Sequence, residues 1–350
     1  MSARSRSERG SLADVSRRAG VSTATASRVL NGSPHPVSAA TRERVMQAAH
    51  DLSYSPSALA RALVTRRTRI IGVIVGDVVD PYFAEITRGV EDCAGRAGYL
   101  TIVCNADRRP EVEREYLNLL RDYNADGAVF AGSGLVEDDE ELSTTVELAR
   151  RQGMHVVALA PRGFDGSCVM VDNRAAARDL TDYLVSLGHR TLGFVAGPAG
   201  LRSARERLAG FQDALASHSL EPGPLCEGDF GYASGHAAAL DLLAGDRLPD
   251  AVIGANDETA IGVLTGLRTA GVDVPGTLSV AGIGDTRPAS FLELTTVSVP
   301  TFELGARAAR RIIAGRETHD ESHVVIPHRL VPRATSVRRT VAGRGHPGAA

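Results

Sequence analysis

Near the amino end, apolar positions recur at helical spacing in three short bursts, each opened by a hydroxyl-bearing residue. The first is Ser11-Leu-Ala-Asp14, where the serine caps a helix, the acid sits at its third position, and Gly20 stops the run. The second begins at Ser22 and runs from Thr23 to Leu30 before Asn31-Gly32 ends it. The third starts after Pro36 with Val37-Ser38 and continues through Arg42, Val45, Met46, Ala49 and Leu52. Helix, glycine-containing turn and helix in so short a span is the helix-turn-helix pattern, whose second helix enters the DNA major groove. Thr23, Ala24, Ser27 and Arg28 then face outward, while Val21, Ala26, Val29 and Leu30 pack inward. The pattern alone also fits an ordinary small helical bundle.

From Ile70 onward the texture changes to apolar strands alternating with amphipathic helices. Strands read at Ile70-Val75, Tyr99-Cys104, Gly127-Phe130, His155-Leu159, Val169-Val171, Thr191-Ala196, Ala251-Ile253 and Leu278-Gly282. Helices read between them at Phe83-Ala97, Glu111-Tyr123, Ala175-Leu187, Arg205-Ala216, Gly235-Leu243 and Glu258-Ala270. Such alternation predicts parallel sheets covered by helices on both faces. So many strands call for two sheets, one on each side of a cleft, with a ligand at the carboxyl ends of the strands. The fold class is thus an all-α headpiece followed by a two-lobed α/β core.

A chain of 350 residues exceeds what one core usually holds, roughly 250–300 residues, so several domains are expected. Residues before Ile70 carry twelve arginines against Glu8, Asp14, Glu43 and Asp51, a charge of +8, whereas the whole chain carries −3. The body is therefore at −11. A basic head on an acidic body predicts that the head meets a polyanion; a solvated basic tail is the plainer alternative. Cys93, Cys104, Cys168 and Cys226 form no C-x-x-C pair, so neither a zinc site nor a disulfide framework is indicated, and a reducing cytosol fits. The N-terminus has no apolar signal region, and the apolar stretch Ile70 to Val79 is broken by Asp77 and too short to span a bilayer. The expectation is a cytoplasmic protein with no membrane partner.

Leu12-Ala-Asp-Val15, Ala19-Gly-Val-Ser22, Ser27-Arg-Val-Leu-Asn31, Val37-Ser38, Thr41-Arg42, Arg44-Val45, Tyr54-Ser-Pro56, Ala60-Arg61 and Leu63 together closely resemble the lactose-repressor/galactose-repressor (LacI/GalR) family. The body agrees at Asp80-Pro-Tyr-Phe83, Asp126-Gly127, Asp172-Asn173, Leu187-Gly-His-Arg190, Ala196-Gly-Pro198, Arg207-Leu-Ala-Gly-Phe211 and Asn256-Asp257, so the likeness runs from about Ser11 to Val337. It implies a disordered basic N-terminus over 1–10, a helix-turn-helix domain over 11–56, a hinge helix and linker over 57–69, and a periplasmic-binding-protein-like core over 70–337. The core would divide into a first lobe of about 70–168 and 300–320 and a second of about 169–299 and 323–337, followed by a flexible tail at 338–350. It further implies a homodimer that meets a pseudo-palindromic operator, its affinity set by a sugar-like effector held between the lobes, most often to repress a catabolic or transport operon.

Residue roles follow from the same resemblance. Thr23, Ala24, Thr25, Ser27, Arg28, Asn31 and Tyr54 occupy DNA-facing positions. Ala60, Arg61 and Leu63 fall in the hinge, where the family wedges a leucine into a minor-groove step; an apolar linker residue is the other reading of Leu63. Arg61, Arg66, Arg67 and Arg69 would line phosphates and make binding salt-dependent. Tyr82, Phe83 and Phe230 match pocket aromatics, or else core aromatics. Ser203, Arg207 and Asn256 match polar ligand contacts, Arg162 matches a sugar-contacting arginine or an ion-pair partner, and Asp285 is a further candidate. Two departures stand out: Gly284 and Pro161 replace acids common in the family, so the effector is less hydroxylated, anionic, or held differently.

No catalytic constellation emerges. Gly282-Ile-Gly284 lacks the third glycine of a dinucleotide loop, which is Arg287 here. His319-Asp-Glu-Ser-His323 sets its glutamate one place late for a zinc motif, and Ser234 lacks the flanking glycines of a nucleophile elbow. The expectation is a regulator without enzyme activity, cofactor or metal; a transport-type binding protein and an enzyme on the same scaffold are the competing classes. Arg338 to Ala350 holds no leucine heptads, which predicts a dimer rather than a tetramer.

Overall fold

A computed structural model describes residues 10–31, 35–55, 67–137, 139–315 and 323–339, and the chain divides into two compact units after Thr68. The first unit contains α1 (Leu12–Ala19), α2 (Thr23–Leu30) and α3 (Ala39–Asp51). Each starts on a serine. Ser11 Oγ accepts from the Asp14 amide while the Asp14 carboxylate accepts from the Ser11 amide, a reciprocal capping box, and Ser22 and Ser38 cap α2 and α3. Gly20 ends α1 with φ +66, a left-handed conformation that glycine adopts without a Cβ penalty.

Val15, Ala19, Ala26, Val29, Val45, Ala48 and Ala49 form the core of this unit. Val15 and Val45 are fully buried, contributing about 1.5–3 kcal/mol each. Val21 and Leu30 pack against the cluster, as the sequence pattern requires. Met46 does not: it is 54% exposed, and the buried stripe of α3 runs through Val45, Ala48 and Ala49 instead.

The second unit opens with β1 (Ile70–Val75), α4 (Pro81–Arg96), β2 (Leu100–Asn105), α5 (Pro110–Asp122), β3 (Gly127–Phe130), α6 (Glu140–Arg151), β4 (His155–Ala158) and β5 (Ser167–Met170). The chain then passes into a second lobe with α7 (Asn173–Ser186), β6 (Leu192–Val195), α8 (Arg202–Ser217), β7 (Leu225–Cys226), α9 (Tyr232–Ala244), β8 (Ala251–Gly254), α10 (Asp257–Thr269), β9 (Ser279–Gly284), α11 (Arg287–Phe291) and β10 (Thr295–Ser298). It returns to the first lobe with α12 (Thr301–Ala314) and β11 (His323–Val325) and ends in the second with β12 (Arg329–Val331). The sheet orders are β11-β5-β4-β3-β1-β2 and β12-β10-β9-β8-β6-β7. All pairings are parallel except that of β12 with β10.

Strands buried on both faces read as unbroken apolar runs, as in Ile70–Val75, which is why the inner strands are legible. The strand pairing moves two expected boundaries. Val169 and Met170 belong to β5 in the first sheet, so the crossing follows Met170 rather than residue 168. His323–Val325 pairs with β5 as well and lies in the first lobe, not the second. α12 packs tightly on α4: a Cβ on Gly89 would stand 2.0 Å from the Phe302 carbonyl oxygen, and one on Gly305 equally close to that of Ile86.

Candidate functional site

On α2 the exposed residues are Thr23, Ala24 and Arg28, on the side away from buried Ala26 and Val29. A periodicity of 3.6 puts them on one face, and among the described residues no acid pairs with Arg28. Thr25 is half-buried and belongs to the cap, its hydroxyl 2.9 Å from that of Ser22. Ser27 accepts from the Asn31 side chain at 3.1 Å. Tyr54 is half-buried and packs against the core of the headpiece. Ala60, Arg61, Leu63 and Arg66 lie outside the described residues.

In the second unit, the carboxyl ends of both sheets border one cleft, which encloses about 1010 Å³ with its open mouth included. Tyr82, Phe83, Ser203, Arg207, Phe230 and Asn256 all line it. From the first lobe, Asp80 caps α4 by accepting from the Tyr82 amide at 3.0 Å, and Tyr82 and Phe83 meet edge to face with centroids 5.3 Å apart. Phe83 is 8% exposed and also belongs to the core, so both roles read from the sequence apply to it.

From the second lobe, Phe230 sits at φ +70 with its ring over Gly197, where any Cβ would come within 2.4 Å of it. Asn256 holds it there, donating to the Phe230 carbonyl at 2.9 Å while capping α10 through the Thr259 amide. Arg207 donates from Nε to Asn173 Oδ1 at 3.0 Å and from Nη1 to the Ala255 carbonyl at 2.6 Å, with its guanidinium 5.8 Å from the Phe230 centroid. Burial lowers its pKa, and nearby Tyr82, Asp257, Glu206 and Asp80 oppose that shift. These bonds use Nε and one Nη1 proton, which fixes the guanidinium and leaves both Nη2 protons and the second Nη1 proton for a ligand in the cleft.

Arg162 and Asp285, expected at the ligand, are engaged elsewhere. Arg162 is a buried ion-pair residue: it reaches Glu113 at 2.6 and 3.1 Å and lies over the Phe130 ring, 4.6 Å from its centroid. Asp285 pairs with Arg333 at 2.5 Å and is not part of the lining. The space beside Gly284 is taken by Asp257, which is 1% exposed and accepts from the Thr286 amide, the Thr286 hydroxyl and the Thr296 hydroxyl.

The cleft lining also holds four acids: Glu113 is bound to Arg162 and Asp257 to Thr286 and Thr296, and the other two are Asp80 and Glu258, neither of them named as a ligand contact in the sequence. Burial raises both, and Asp80 and Asp257 push Glu258 further in the same direction. Arg108 stands 3.5 Å from Asp80 and 3.7 Å from Asp77. The signal that could have found these residues is positional: Asp80 is the N-cap of α4 and Glu258 the second residue of α10, at the helix starts that follow β1 and β8, where a doubly wound fold puts its ligand contacts. Among the described residues no His, Cys, Asp and Glu group could hold a metal ion, and no helix is long and apolar enough to cross a membrane.

Comparison with known proteins gives two family matches. The model for bacterial regulatory proteins of the lacI family matches residues 11–57, and that for a periplasmic binding protein-like domain matches residues 181–336. The catabolite control protein A of Staphylococcus xylosus is 33% identical over 331 residues, which span 92% of this chain and 98% of that protein. The structure of the lac repressor dimer bound to operator and the anti-inducer ONPF superposes with a TM-score of 0.82 at 26% identity, covering 94% of this chain and all of that one. The complex of the transcriptional regulator CelR with cellobiose covers the same shares at a TM-score of 0.66 and 29% identity.

Proposed function

The chain belongs to the lacI family of bacterial regulatory proteins and is a DNA-binding transcriptional regulator, not an enzyme, and we propose that it is a cytoplasmic repressor released or recruited by a sugar-like effector. One observation carries this reading: a headpiece with an exposed α2 face and a cleft lined by aromatic rings and polar side chains occur on the same chain. Thr23, Ala24 and Arg28 read base edges or phosphates of a pseudo-palindromic operator, and a homodimer supplies the two headpieces its half-sites require. The hinge around Ala60, Arg61 and Leu63 engages the minor groove between them.

At the effector end, Phe230 and Tyr82 supply flat apolar surfaces, and Ser203, Asn256 and Arg207 fix orientation. Asp80 and Glu258 take the acceptor role that Gly284 and Pro161 leave vacant. The ligand is therefore held differently from the family pattern, and it is neutral and hydroxyl-bearing rather than anionic. Four acids line the cleft, Asp80, Glu113, Asp257 and Glu258, against two cations, Arg108 and Arg207, a balance that opposes an anion.

Selection of genomic fragments by the purified full chain, with and without a panel of neutral sugars and sugar phosphates, tests the whole reading. A short palindrome is expected, its recovery changed by a neutral sugar. Recovery of nothing beyond salt-sensitive background under every condition overturns the proposal.

A further inference from the structure

The helix α8 has no cap of its own. Its N-cap position is Leu201, which has no side-chain acceptor, yet two of its first amides are bonded from the other lobe. The Arg202 amide donates to the Gly134 carbonyl at 3.0 Å, and the Ser203 amide donates to Ser133 Oγ at 3.0 Å. Both acceptors belong to the loop after β3. Beside them the Val136 amide donates to the Gly200 carbonyl at 2.9 Å, and Leu135 faces Leu201 across an isolated antiparallel bridge.

The first amides of a helix have no partner within it, and a serine hydroxyl on the second or third of them is the usual remedy. Ser203 is the second residue of α8, so Ser133 does for it, from another lobe, what an N-cap serine does from the same chain segment. Ser133, Leu135, Leu201 and Ser203 also line the cleft, and α8 presents Ser203 and Arg207 to it.

The structure assigns Ser133 as a positioning residue of the cleft: by capping α8 across the lobes, it fixes the register in which Ser203 and Arg207 share one cavity with Tyr82 and Asp80. The surrounding residues are suited to this. The Ser133 hydroxyl donates its proton to the Gly134 carbonyl at 3.1 Å, which leaves its lone pairs for the Ser203 amide. Gly134 has no room for a side chain, since a Cβ there would lie 2.2 Å from the Pro161 carbonyl oxygen. Arg162 braces the loop by donating to the Gly132 carbonyl at 3.0 Å and the Ser133 carbonyl at 3.4 Å. Separation of the lobes uncaps α8, so the angle between them has a set point before any ligand enters. The regulatory weight of that set point rests on the effector reading; the cap itself does not.

Hydrogen–deuterium exchange of the full chain, free of DNA and ligand, tests the cap. Ser133→Ala is expected to speed exchange of the Arg202 and Ser203 amides about tenfold, the scale of a lost cap, while Ser133→Thr keeps them near wild type. Gly134→Ala, which forces the loop off Pro161, reproduces the acceleration. Unchanged amides in both Ser133→Ala and Gly134→Ala overturn the assignment, and so does an acceleration spread equally over α9 and α10, which marks a loosened lobe instead of a lost cap. No operator or effector enters the measurement, so its failure leaves the regulator reading standing, and the reverse holds too.

Discussion

A Cβ built on Gly284 lies 2.9 Å from Oδ2 of Asp257 and 3.2 Å from its carboxyl carbon. The family's acid is thus not merely absent at residue 284; a neighbouring carboxylate already fills its place and turns inward to Thr286 and Thr296. Gly284→Asp would set a second carboxylate against a buried first one, at a backbone φ of +154 that side chains rarely adopt. We expect it to lower stability by about 1–3 kcal/mol, or several degrees in melting temperature, with no gain in sugar binding. Urea denaturation and a thermal-shift sugar panel check this; a variant as stable as wild type means that Asp257 can be moved aside.

The Arg162–Glu113 pair sits under the same loop that caps α8, with side chains 4% and 10% exposed. Removing one member of a buried pair strands the other charge, at a cost of about 3–5 kcal/mol. Arg162→Met and Glu113→Leu are each expected to lose that much, and the double variant to recover most of it, because the stranded charge is gone. Additive losses in a urea double-mutant cycle would sink the interpretation of Arg162 as a structural residue.

The headpiece and inner strands were legible because local chemistry decides them: serine caps, Gly20 and two-sided apolar runs leave little choice. Strands β7, β10, β11 and β12 escaped notice because they are short and finish sheets whose frame comes from elsewhere in the chain. α6 was missed because Leu142, Val146 and Ala149 are a thin apolar stripe among charges, and α12 because its partner is α4, more than two hundred residues earlier. Six of eight ligand-site residues line the cleft, and it was the family resemblance that located them: Tyr82, Phe83 and Ser203 stand in first helical turns and Asn256 at an N-cap, but Arg207 is a turn further along α8 and Phe230 is in a loop. Arg162 and Asp285 went astray for a different reason. What a charged side chain does depends on which opposite charge it meets, and Glu113 and Arg333 lie 49 and 48 residues away.

At the DNA end, Arg28 is exposed and has no acidic partner among the described residues, which leaves its guanidinium for the nucleic acid. If it pairs with a guanine edge, Arg28→Ala costs about 1–3 kcal/mol at one base position; if it meets a phosphate, it weakens all sequences alike and reduces the salt slope by about one. Either result, read by titrating the selected operator at several salt concentrations, confirms contact. Wild-type affinity and slope in the variant would remove Arg28 from the interface.

Glu258 makes a pH prediction whose sign can be worked out. Burial raises its carboxyl above the ordinary 4.5, and Asp80 and Asp257 add to the shift. A group whose folded pKa is raised contributes its full stability below the unfolded value and loses it as pH climbs through the folded one. Glu258→Gln removes that loss, so the variant should match wild type below 4.5 and become the more stable of the two as pH rises toward neutrality. Asp250 runs the other way: burial pushes its carboxyl up, but the Arg190 and Thr191 amides and Arg339 outweigh this and hold it below 3.8, so its contribution is lost only in acid, below that value. The two windows do not overlap, and melting temperatures of wild type and Glu258→Gln from acid to neutral pH separate them. A constant difference between the two proteins across that range would mean that Glu258 is partnered in solution, and that Asp80 alone is left to accept from the ligand.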